Sequence, residues 1–219
     1  MGLLANVLWE GDMQGMEWRD ARLDWDRLPE NPMDLFADWH ATASLVEPWQ
    51  AGAMVLATAS AAGEPSARVV LLRGFGTEGL RFFTNYDSVK GQHLADNPRY
   101  AAVFWWPSQV RQIRFQGVAS RLARGESEAY FAGRPRGSQL GAWSSPQSQP
   151  IPDLAYLQAQ HQQAESAYAD GDVPCPQFWG GYLLQPDRVE FWQGGKDRLH
   201  DRVLYMRSEA DWVLQRIAP

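Results

Sequence analysis

From Ala53 to its end, the chain alternates short runs of β-branched and aromatic residues with clusters of turn-forming residues. Such runs predict β-strands, and the turn residues between them predict hairpins. The predicted strands are AMVLATA, SARVVLLRGF, LRFFTN, YAAVFWW, VRQIRFQGVASRLAR, YLLQ, RVEFWQ, RVLYMR and WVLQRI. The first three should form a meander, because only short turns separate them. Many short strands with inserted helices predict a mainly β fold, an antiparallel barrel with peripheral helices.

Helix signals occur at several places along the chain. Asn31 is a good N-cap and Pro32 suits the first helical position, so a helix should begin there. Its apolar stripe consists of Leu35, Phe36, Trp39 and Leu45. A short helix is capped by Asp87 or Ser88 and ends before Pro98. Two more helices are predicted, in GESEAYFAGRP and in residues 153–169.

The organisation along the chain is simple. Residues 1–30 mix charged and apolar residues without a sustained period, so we interpret them as a mobile N-terminal arm. Residues 31–219 then form one folded domain. This domain shows neither a regular alternation of strands and helices nor a GxGxxG motif, which argues against a Rossmann nucleotide site.

Composition argues against several functional classes. The 219 residues carry a net charge of −6, whereas a nucleic-acid-binding surface normally needs a basic face. No run approaches the roughly 20 apolar residues of a membrane span, and the acidic start lacks the basic region of a signal peptide. Cys175 is the only cysteine, and the four histidines lack metal-ligand spacing. We therefore expect a cytoplasmic protein without a metal site.

Basic residues mark three segments as candidates for anion binding. Arg68 and Arg73 are the two ends of RVVLLR and bracket its four apolar residues. Because they are five positions apart, their side chains should point to opposite faces of a strand unless a bulge intervenes. Solvent-facing charges are therefore the simpler explanation. Lys90 lies in the first turn of the short helix, where a cation opposes the macrodipole unless an anion is present. The third segment, RPRGSQLGAWSSPQSQPI, is equally explained as a polar loop or a binding loop; it contains Arg134, Arg136, Ser138 and Ser148.

The segment FWQGGKDRLHDR carries a clearer functional signal. A simple hairpin needs neither Trp192 nor the alternation of Arg198, His200 and Arg202. On a strand these three alternating side chains share one face, which suits an anionic, planar ligand. Other tryptophans are explained more simply as core or interface residues, namely Trp105, Trp106 and Trp179.

Taken together, the segments resemble the pyridoxamine 5'-phosphate oxidase family. The resemblance rests on RVVLLR, FFTN-x-x-S-x-K, RQIRFQG, YFAGRPRGSQLGAW-x-x-x-QS, PQFWGGY, EFWQGG-x-x-RLHDR and the terminal RIAP. It runs from about Asn31 to Pro219 and does not extend well into the extreme N-terminus. The resemblance implies a homodimer of FMN-binding split β-barrels, with two flavins in clefts at the subunit interface.

The resemblance also implies roles for individual residues. FMN would be bound by Arg68, Val69, Val70, Leu71, Leu72, Arg73, Phe83, Thr84, Lys90, Gln112, Gln147, Ser148, Trp192 and Arg202, several of them from the partner subunit. The phosphorylated substrate would be bound by Arg73, Tyr130, Arg134, Ser138, Arg198, Leu199 and His200. The catalytic candidates are Arg198, as an orienting cation, and His200, as a hydrogen-bond partner at the substrate ring.

The implied reaction is the oxidation of the phosphorylated pyridoxine or pyridoxamine form of vitamin B6 to pyridoxal 5'-phosphate. A hydride equivalent would leave the substrate C4' carbon for flavin N5, and O2 would reoxidise the flavin and give hydrogen peroxide. With the amine substrate, hydrolysis of the imine would release ammonia. The cofactor supplies the electron chemistry, while the protein supplies orientation and electrostatics.

Three positions depart from the family pattern, and they concern cofactor affinity and closure over the substrate. Arg73 stands where the family commonly has lysine, which keeps the charge but changes its geometry. Val89 stands where a second phosphate-binding cation is usual. Trp18 stands in place of an Arg-Arg-Glu-Tyr-like arm.

Two alternative functions remain open at this point. One is a related FMN split-barrel oxidase that acts on another ring, as in the phenazine pathway. The other is a non-catalytic carrier of flavin or pyridoxal phosphate. The segments GRPRGS and RLHDR favour the B6 substrate, because in the family they correspond to the contacts with its phosphate and ring.

Overall fold

The computed structural model describes residues 22–209 and 211–219. The strands are β1 (Ala53–Ala59), β2 (Pro65–Leu71), β3 (Gly74–Gly76), β4 (Gly79–Asn85), β5 (Arg99–Trp106), β6 (Arg111–Arg121), β7 (Trp179–Gln193), β8 (Asp201–Ser208) and β9 (Asp211–Arg216). The helices are α1 (Pro32–Val46), α2 (Pro48–Ala51), α3 (Val89–Asp96), α4 (Arg124–Ala132), α5 (Arg136–Ser144) and α6 (Leu154–Ala167). All strand pairs are antiparallel, as predicted for a mainly β fold.

The strands form one sheet in the order β2-β1-β5-β6-β7-β4-β3, with β8 and β9 branching from β7. The sheet closes on itself because β2 and β3 are successive stretches of one chain segment: β2 pairs with β1, and β3 pairs with β4. At the junction, the backbone N–H of Arg73 donates to the carbonyl oxygen of Arg81 at 2.8 Å. The result is a barrel with a branch.

The branch arises on β7, which was predicted as two separate strands and is one strand of 15 residues. Along one edge it pairs with β6, and a register shift beside Gly117 accommodates Pro186. Along the other edge its first half pairs with β4 and its second half with β8. The predicted meander is confirmed where β1 pairs with β2 and where β3, the end of the predicted second strand, pairs with β4. The prediction did not include the second partner of β4, which is β7.

Helix α1 packs its apolar stripe against the barrel core. The helix begins as predicted, with the Asn31 side chain accepting a hydrogen bond from the backbone N–H of Met33. Phe36 is fully buried, and its ring centroid lies 5.2 Å from that of Phe104. The stripe ends before Leu45, which is 87% exposed, so its assignment to the buried face was wrong.

Helix α5 was not predicted; its residues were interpreted as a polar segment around glycine turns. Leu140 is the buried apolar residue that anchors the helix in a small second core with Phe131 and Trp179. The Arg136 guanidinium donates to the carbonyl oxygens of Gly171 and Tyr168 and so ties the start of α5 to the end of α6. These partners are distant in sequence, which explains why local propensity missed the helix.

The described part of the predicted arm lies against the barrel. The backbone N–H of Leu23 donates to Asp201 Oδ2 at 2.9 Å, and Trp25 packs under the guanidinium of Arg216. Residues 1–21, including Trp18, lie outside the described residues, so the division of the chain at residue 30 stays a prediction. Among the residues described, no helix is long and apolar enough to cross a membrane.

Candidate active site

The first group of predicted site residues gathers at the start of α3. Ser88 caps this helix, as its hydroxyl oxygen accepts a hydrogen bond from the backbone N–H of Gly91. The Lys90 ammonium donates to Ser88 Oγ at 3.1 Å, to Thr84 Oγ1 at 3.1 Å and to Gln147 Oε1 at 2.9 Å. The predicted residues Thr84, Lys90 and Gln147 are thus brought together by β4, α3 and the loop after α5.

Arg68 completes this group from β2. Its guanidinium donates to Thr58 Oγ1 at 2.8 Å, to Ser66 Oγ at 2.6 Å and to the carbonyl oxygen of Leu56 at 3.2 Å. Burial, and secondarily the charge of Arg68, lower the pKa of Lys90 to about 8. Within the described residues, neither cation has a carboxylate within ion-pair distance. Two neighbouring cations at a helix N-terminus form a site suited to a phosphate.

The adjacent group is built on stacked aromatic rings. Phe83 and Tyr130 stack with their centroids 3.8 Å apart, and Trp179 continues the stack. Arg134 lies over the Trp179 ring at 4.6 Å. Its buried Nη1 atom has no hydrogen-bond partner within the described chain. Burial lowers the pKa of Arg134, and the charge of Arg73 lowers it further, so these two predicted phosphate-binding cations lie near each other.

A cavity of about 240 Å³ lies between Gln147 of the first group and Arg134 and Trp179 of the adjacent one. Arg134, Ser138 and Gln147 all contribute to its lining. Ser138 lies in the first turn of α5, so the unpredicted helix is what presents this hydroxyl to the cavity. The predicted substrate-binding residues Arg134 and Ser138 therefore share a cavity with Gln147, which in turn accepts a hydrogen bond from Lys90.

The predicted cofactor residues on and after β2 alternate in exposure. Val69 and Leu71 are exposed, while Val70 and Leu72 are half-buried. Arg73 follows the end of β2 and is exposed. Arg68 and Arg73 therefore do not lie on one regular strand, because Leu72 and Arg73 lie in the turn between β2 and β3. The strand alternation that would place their side chains on opposite faces does not apply to this pair. Ser148 lies in the loop after α5 and has a left-handed φ of 71°.

A second group forms a row across four strands. The backbone register places Trp105 opposite Gln112, Gln112 opposite Trp192, and Trp192 opposite Arg202. Directly opposed residues project from the same face of a sheet. The predicted cofactor residues Gln112, Trp192 and Arg202 therefore share one face, together with the half-exposed Trp105.

A buried carboxylate, missed by sequence reasoning, supports this row. Glu190 is 5% exposed and lies two positions before Trp192, hence on the same face. Its Oε1 accepts from Arg202 Nε at 3.0 Å and Nη2 at 2.6 Å, while its Oε2 accepts from Arg114 at 3.0 Å. The signal that could have identified it is an acidic residue between the apolar residues Val189 and Phe191, in phase with a site tryptophan.

The catalytic candidates lie beside the same row. The His200 ring centroid is 4.5 Å from that of Trp192, and the backbone N–H of Gly195 donates to His200 Nδ1 at 3.2 Å. Burial, with the charges of Arg202 and Arg198, lowers the pKa of His200. Arg198 lies in a 3₁₀ turn with a φ of 60°, and Leu199 is exposed. Arg198 therefore does not share a strand face with Arg202, contrary to the simple alternation argument.

The first and second groups lie on different parts of the barrel. The first is built on β2, β4 and the helices α3 to α5, and the second on β6, β7 and β8. In residues 22–209 and 211–219, no hydrogen bond or ion pair joins Arg68, Lys90 or Arg134 to Gln112, Trp192 or Arg202. One chain thus presents two separate groups of predicted site residues.

The barrel and its cationic site define the class of FMN-binding split β-barrels. Within that class, the chain belongs to the pyridoxamine 5'-phosphate oxidase family. A model of the family, described as pyridoxamine 5'-phosphate oxidase, matches residues 40–167. A second, described as the pyridoxine 5'-phosphate oxidase C-terminal dimerisation region, matches residues 179–219. The predictions of the family, the fold class and an oxidase of this kind are confirmed.

Individual relatives agree with this assignment. A pyridoxine/pyridoxamine 5'-phosphate oxidase of Pseudomonas fluorescens (strain Pf0-1) is 46% identical over 91% of this chain and 97% of its own length. One of Salinibacter ruber is 45% identical over 93% and 96%, respectively. Among solved structures, PhzG of Burkholderia lata 383, in complex with tetrahydrophenazine-1-carboxylic acid, has a TM-score of 0.86 at 29% identity, covering 91% of this chain and 98% of PhzG.

A more distant structure shares the fold alone. It is a pyridoxamine 5'-phosphate oxidase-related, FMN-binding protein from Nostoc punctiforme, with a TM-score of 0.69 at 18% identity. The match covers 88% of this chain and 100% of that one. The fold of most of this chain is therefore shared with that protein.

Proposed function

We propose that this protein oxidises pyridoxamine 5'-phosphate or pyridoxine 5'-phosphate to pyridoxal 5'-phosphate, using FMN and O2 and releasing hydrogen peroxide. The observation that carries the proposal is a set of four cations near one region without a carboxylate partner among the described residues. These cations are Arg68, Arg73, Lys90 and Arg134. In a protein of net charge −6, such a set calls for anionic ligands.

The residues at the start of α3 fit the phosphate of FMN. Lys90 and Arg68 supply charge, and the helix N-terminus supplies N–H groups and the positive end of its dipole. Lys90 is already desolvated, so an anion beside it restores the stability of its charged form. When bound, FMN supplies the acceptor for the C4' hydride of the substrate and passes the electrons to O2.

The second cationic pair fits the phosphate of the substrate. The buried Nη1 atom of Arg134 has no hydrogen-bond partner among the described residues, and the guanidinium packs over the Trp179 ring. Ser138 at the start of α5 adds a hydroxyl donor in the same cavity, and Tyr130 lies beside it in the ring stack. These groups would hold the phosphate and so fix the distance of the substrate ring from the flavin.

The His200 region fits the substrate ring. His200 Nδ1 accepts a hydrogen bond from the Gly195 N–H, so a neutral imidazole carries its proton on Nε2. Arg198 is exposed and charged, so it can orient an anionic or electron-rich substrate without acting as a base. As a hydrogen-bond partner and an orienting cation, His200 and Arg198 need not transfer a proton.

We propose that the functional unit is a homodimer with FMN at the interface. Two incomplete halves on one chain become two complete sites when the row containing Gln112, Trp192 and Arg202 faces the α3 region of a partner. The match of residues 179–219 to a dimerisation region supports this arrangement. The predicted cytoplasmic location stays a prediction.

A related oxidase with a different ring substrate is the second candidate, favoured by the similarity to PhzG. The decisive experiment measures hydrogen peroxide formation by the FMN-loaded protein with pyridoxamine 5'-phosphate, with unphosphorylated pyridoxamine and with tetrahydrophenazine-1-carboxylic acid. We expect turnover with the phosphorylated B6 compound and a large loss without its phosphate. Preference for the phenazine would support the second candidate. Bound FMN without peroxide from any substrate would indicate a carrier and contradict the proposal.

A further inference from the structure

Thr58 is a buried polar residue that the proposed chemistry does not use. It lies on β1, is 3% exposed, and its directly opposed partner on β2 is Ser66. Leu56, two residues earlier, is opposed to Arg68, so Thr58 and Arg68 are diagonal neighbours across the two strands. This register brings the Thr58 hydroxyl within 2.8 Å of Arg68 Nη1.

The Thr58 hydroxyl also contacts α3. Its oxygen lies 3.2 Å from His93 Nδ1, and His93 follows Lys90 by one turn of that helix. The guanidinium of Arg68 can only donate, so Thr58 accepts from it, while the same hydroxyl forms a second hydrogen bond with His93 Nδ1. One buried hydroxyl therefore links the strand that carries Arg68 to the helix that carries Lys90.

The other partners of Arg68 do not provide this link. The Leu56 carbonyl and the Ser66 hydroxyl both belong to the β1–β2 hairpin. They restrain the guanidinium relative to the hairpin but not relative to α3. Arginine has many rotamers, so a charged end that must meet a phosphate at the helix start gains from a restraint directed toward that helix.

We propose that Thr58 is a positioning residue for Arg68, holding its guanidinium at the start of α3 where the FMN phosphate would bind. His93 would be the second hydrogen-bond partner that orients the hydroxyl. This inference rests on the proposed function, because it assumes that FMN is the ligand. It assigns to Thr58 no contact with FMN and no part in the chemical step.

The test is a titration of apoprotein with FMN, followed by the quenching of flavin fluorescence. Thr58→Val removes the hydroxyl at nearly constant shape, and Thr58→Ser keeps it. We expect Thr58→Val to weaken FMN binding by about tenfold, the scale of a hydrogen bond to a charged group, and Thr58→Ser to bind nearly as the unchanged protein does. Thermal unfolding of each apoprotein shows whether the variants fold alike.

A double-mutant cycle separates positioning from a merely structural role. If Thr58 acts through Arg68, then Thr58→Val should have no further effect on FMN affinity in an Arg68→Ala background. An equal loss in both backgrounds, or a failure of Thr58→Ser to restore binding, would overturn the inference. So would unchanged affinity in Thr58→Val. If the unchanged protein itself bound no FMN, both the proposed function and the role of Thr58 would be wrong. If the unchanged protein bound FMN but Thr58→Val had no effect, only the role of Thr58 would be wrong.

Discussion

At the residue scale, Lys90 is the side chain whose charge state is most sensitive to the ligand. Three oxygen atoms accept hydrogen bonds from its ammonium, yet none of them carries a charge. Burial and the nearby Arg68 lower its pKa to about 8. A phosphate at the start of α3 would favour the protonated form and raise this pKa again.

We therefore expect FMN affinity to fall as pH rises through about 8. Above that pH, free Lys90 loses its proton and must take one up on binding, so affinity decreases by up to about tenfold per pH unit. The phosphate of FMN is already a dianion between about pH 7 and pH 9, since its second pKa is near 6. Titration of apoprotein over that interval measures the slope. Lys90→Arg, which stays charged, is the control and should bind with little pH dependence.

An FMN affinity that stayed constant over this interval would show that Lys90 does not contact the phosphate.

The nearby Val89 is a second feature of the same helix start. It is 37% exposed and leaves the position of the usual second cation without charge. Arg111 does not replace it within the described chain, because its guanidinium lies 4.2 Å from the Trp39 ring centroid and bonds to Gln193.

At the scale of elements, the close approach of α3 to the preceding turn is what places Ser88 and Lys90. Gly91 permits this approach: a Cβ atom there would lie 2.1 Å from the carbonyl oxygen of Tyr86. Since the conflicting atom belongs to the backbone, the helix itself would have to move. Stability and cofactor binding should therefore depend together on this glycine.

We expect Gly91→Ala to destabilise the protein by about 1–3 kcal/mol, in the range of overpacked sites. That corresponds to a decrease of about 2–12 °C in Tm for a chain of this size. FMN affinity should fall as well, because α3 carries the phosphate site. The matched control is Gly137→Ala in α5, where a Cβ atom meets nothing within 4 Å. Differential scanning calorimetry that found both variants equally stable would contradict this account of the helix position.

At the scale of the whole molecule, an apolar strip of the sheet remains exposed in the single chain. Val69 and Val55 are directly opposed and are 64% and 42% exposed. Val103 continues their row, and the half-exposed Trp105 follows on the same face of β5. A strip of this kind, next to the residues predicted to bind FMN, suits contact with a second copy of the chain.

We expect Val55→Asp to convert the dimer into monomers and to abolish tight FMN binding at the same time. A buried carboxylate in an apolar contact is costly, and separation of the chains would divide each site into its halves. Val55→Thr, similar in shape and β propensity, is the control and should remain dimeric. Sedimentation velocity and FMN titration measure the two properties. Monomers that still bound FMN tightly would refute a site shared between subunits.

Much of this architecture was determined by local sequence. Most of the strands are predicted within one or two residues, and the N-caps Asn31 and Ser88 begin α1 and α3 as expected. These features depend on neighbours close in sequence, which is why they could be identified. The chemistry of the site was indicated in the same way, since Lys90 at a helix start already calls for an anion.

Tertiary structure alone decided how those pieces meet. The branch on β7, the pairing of β4 and the helix α5 all depend on partners far along the chain, for which local patterns carry no information. The same is true of Glu190, whose burial is stable only because Arg114 and Arg202 arrive from neighbouring strands. Residue types indicated which ligands to expect, whereas the pairing of β1 with β2 and the packing of α3 against β1 determined where Thr58, Arg68 and Lys90 come together.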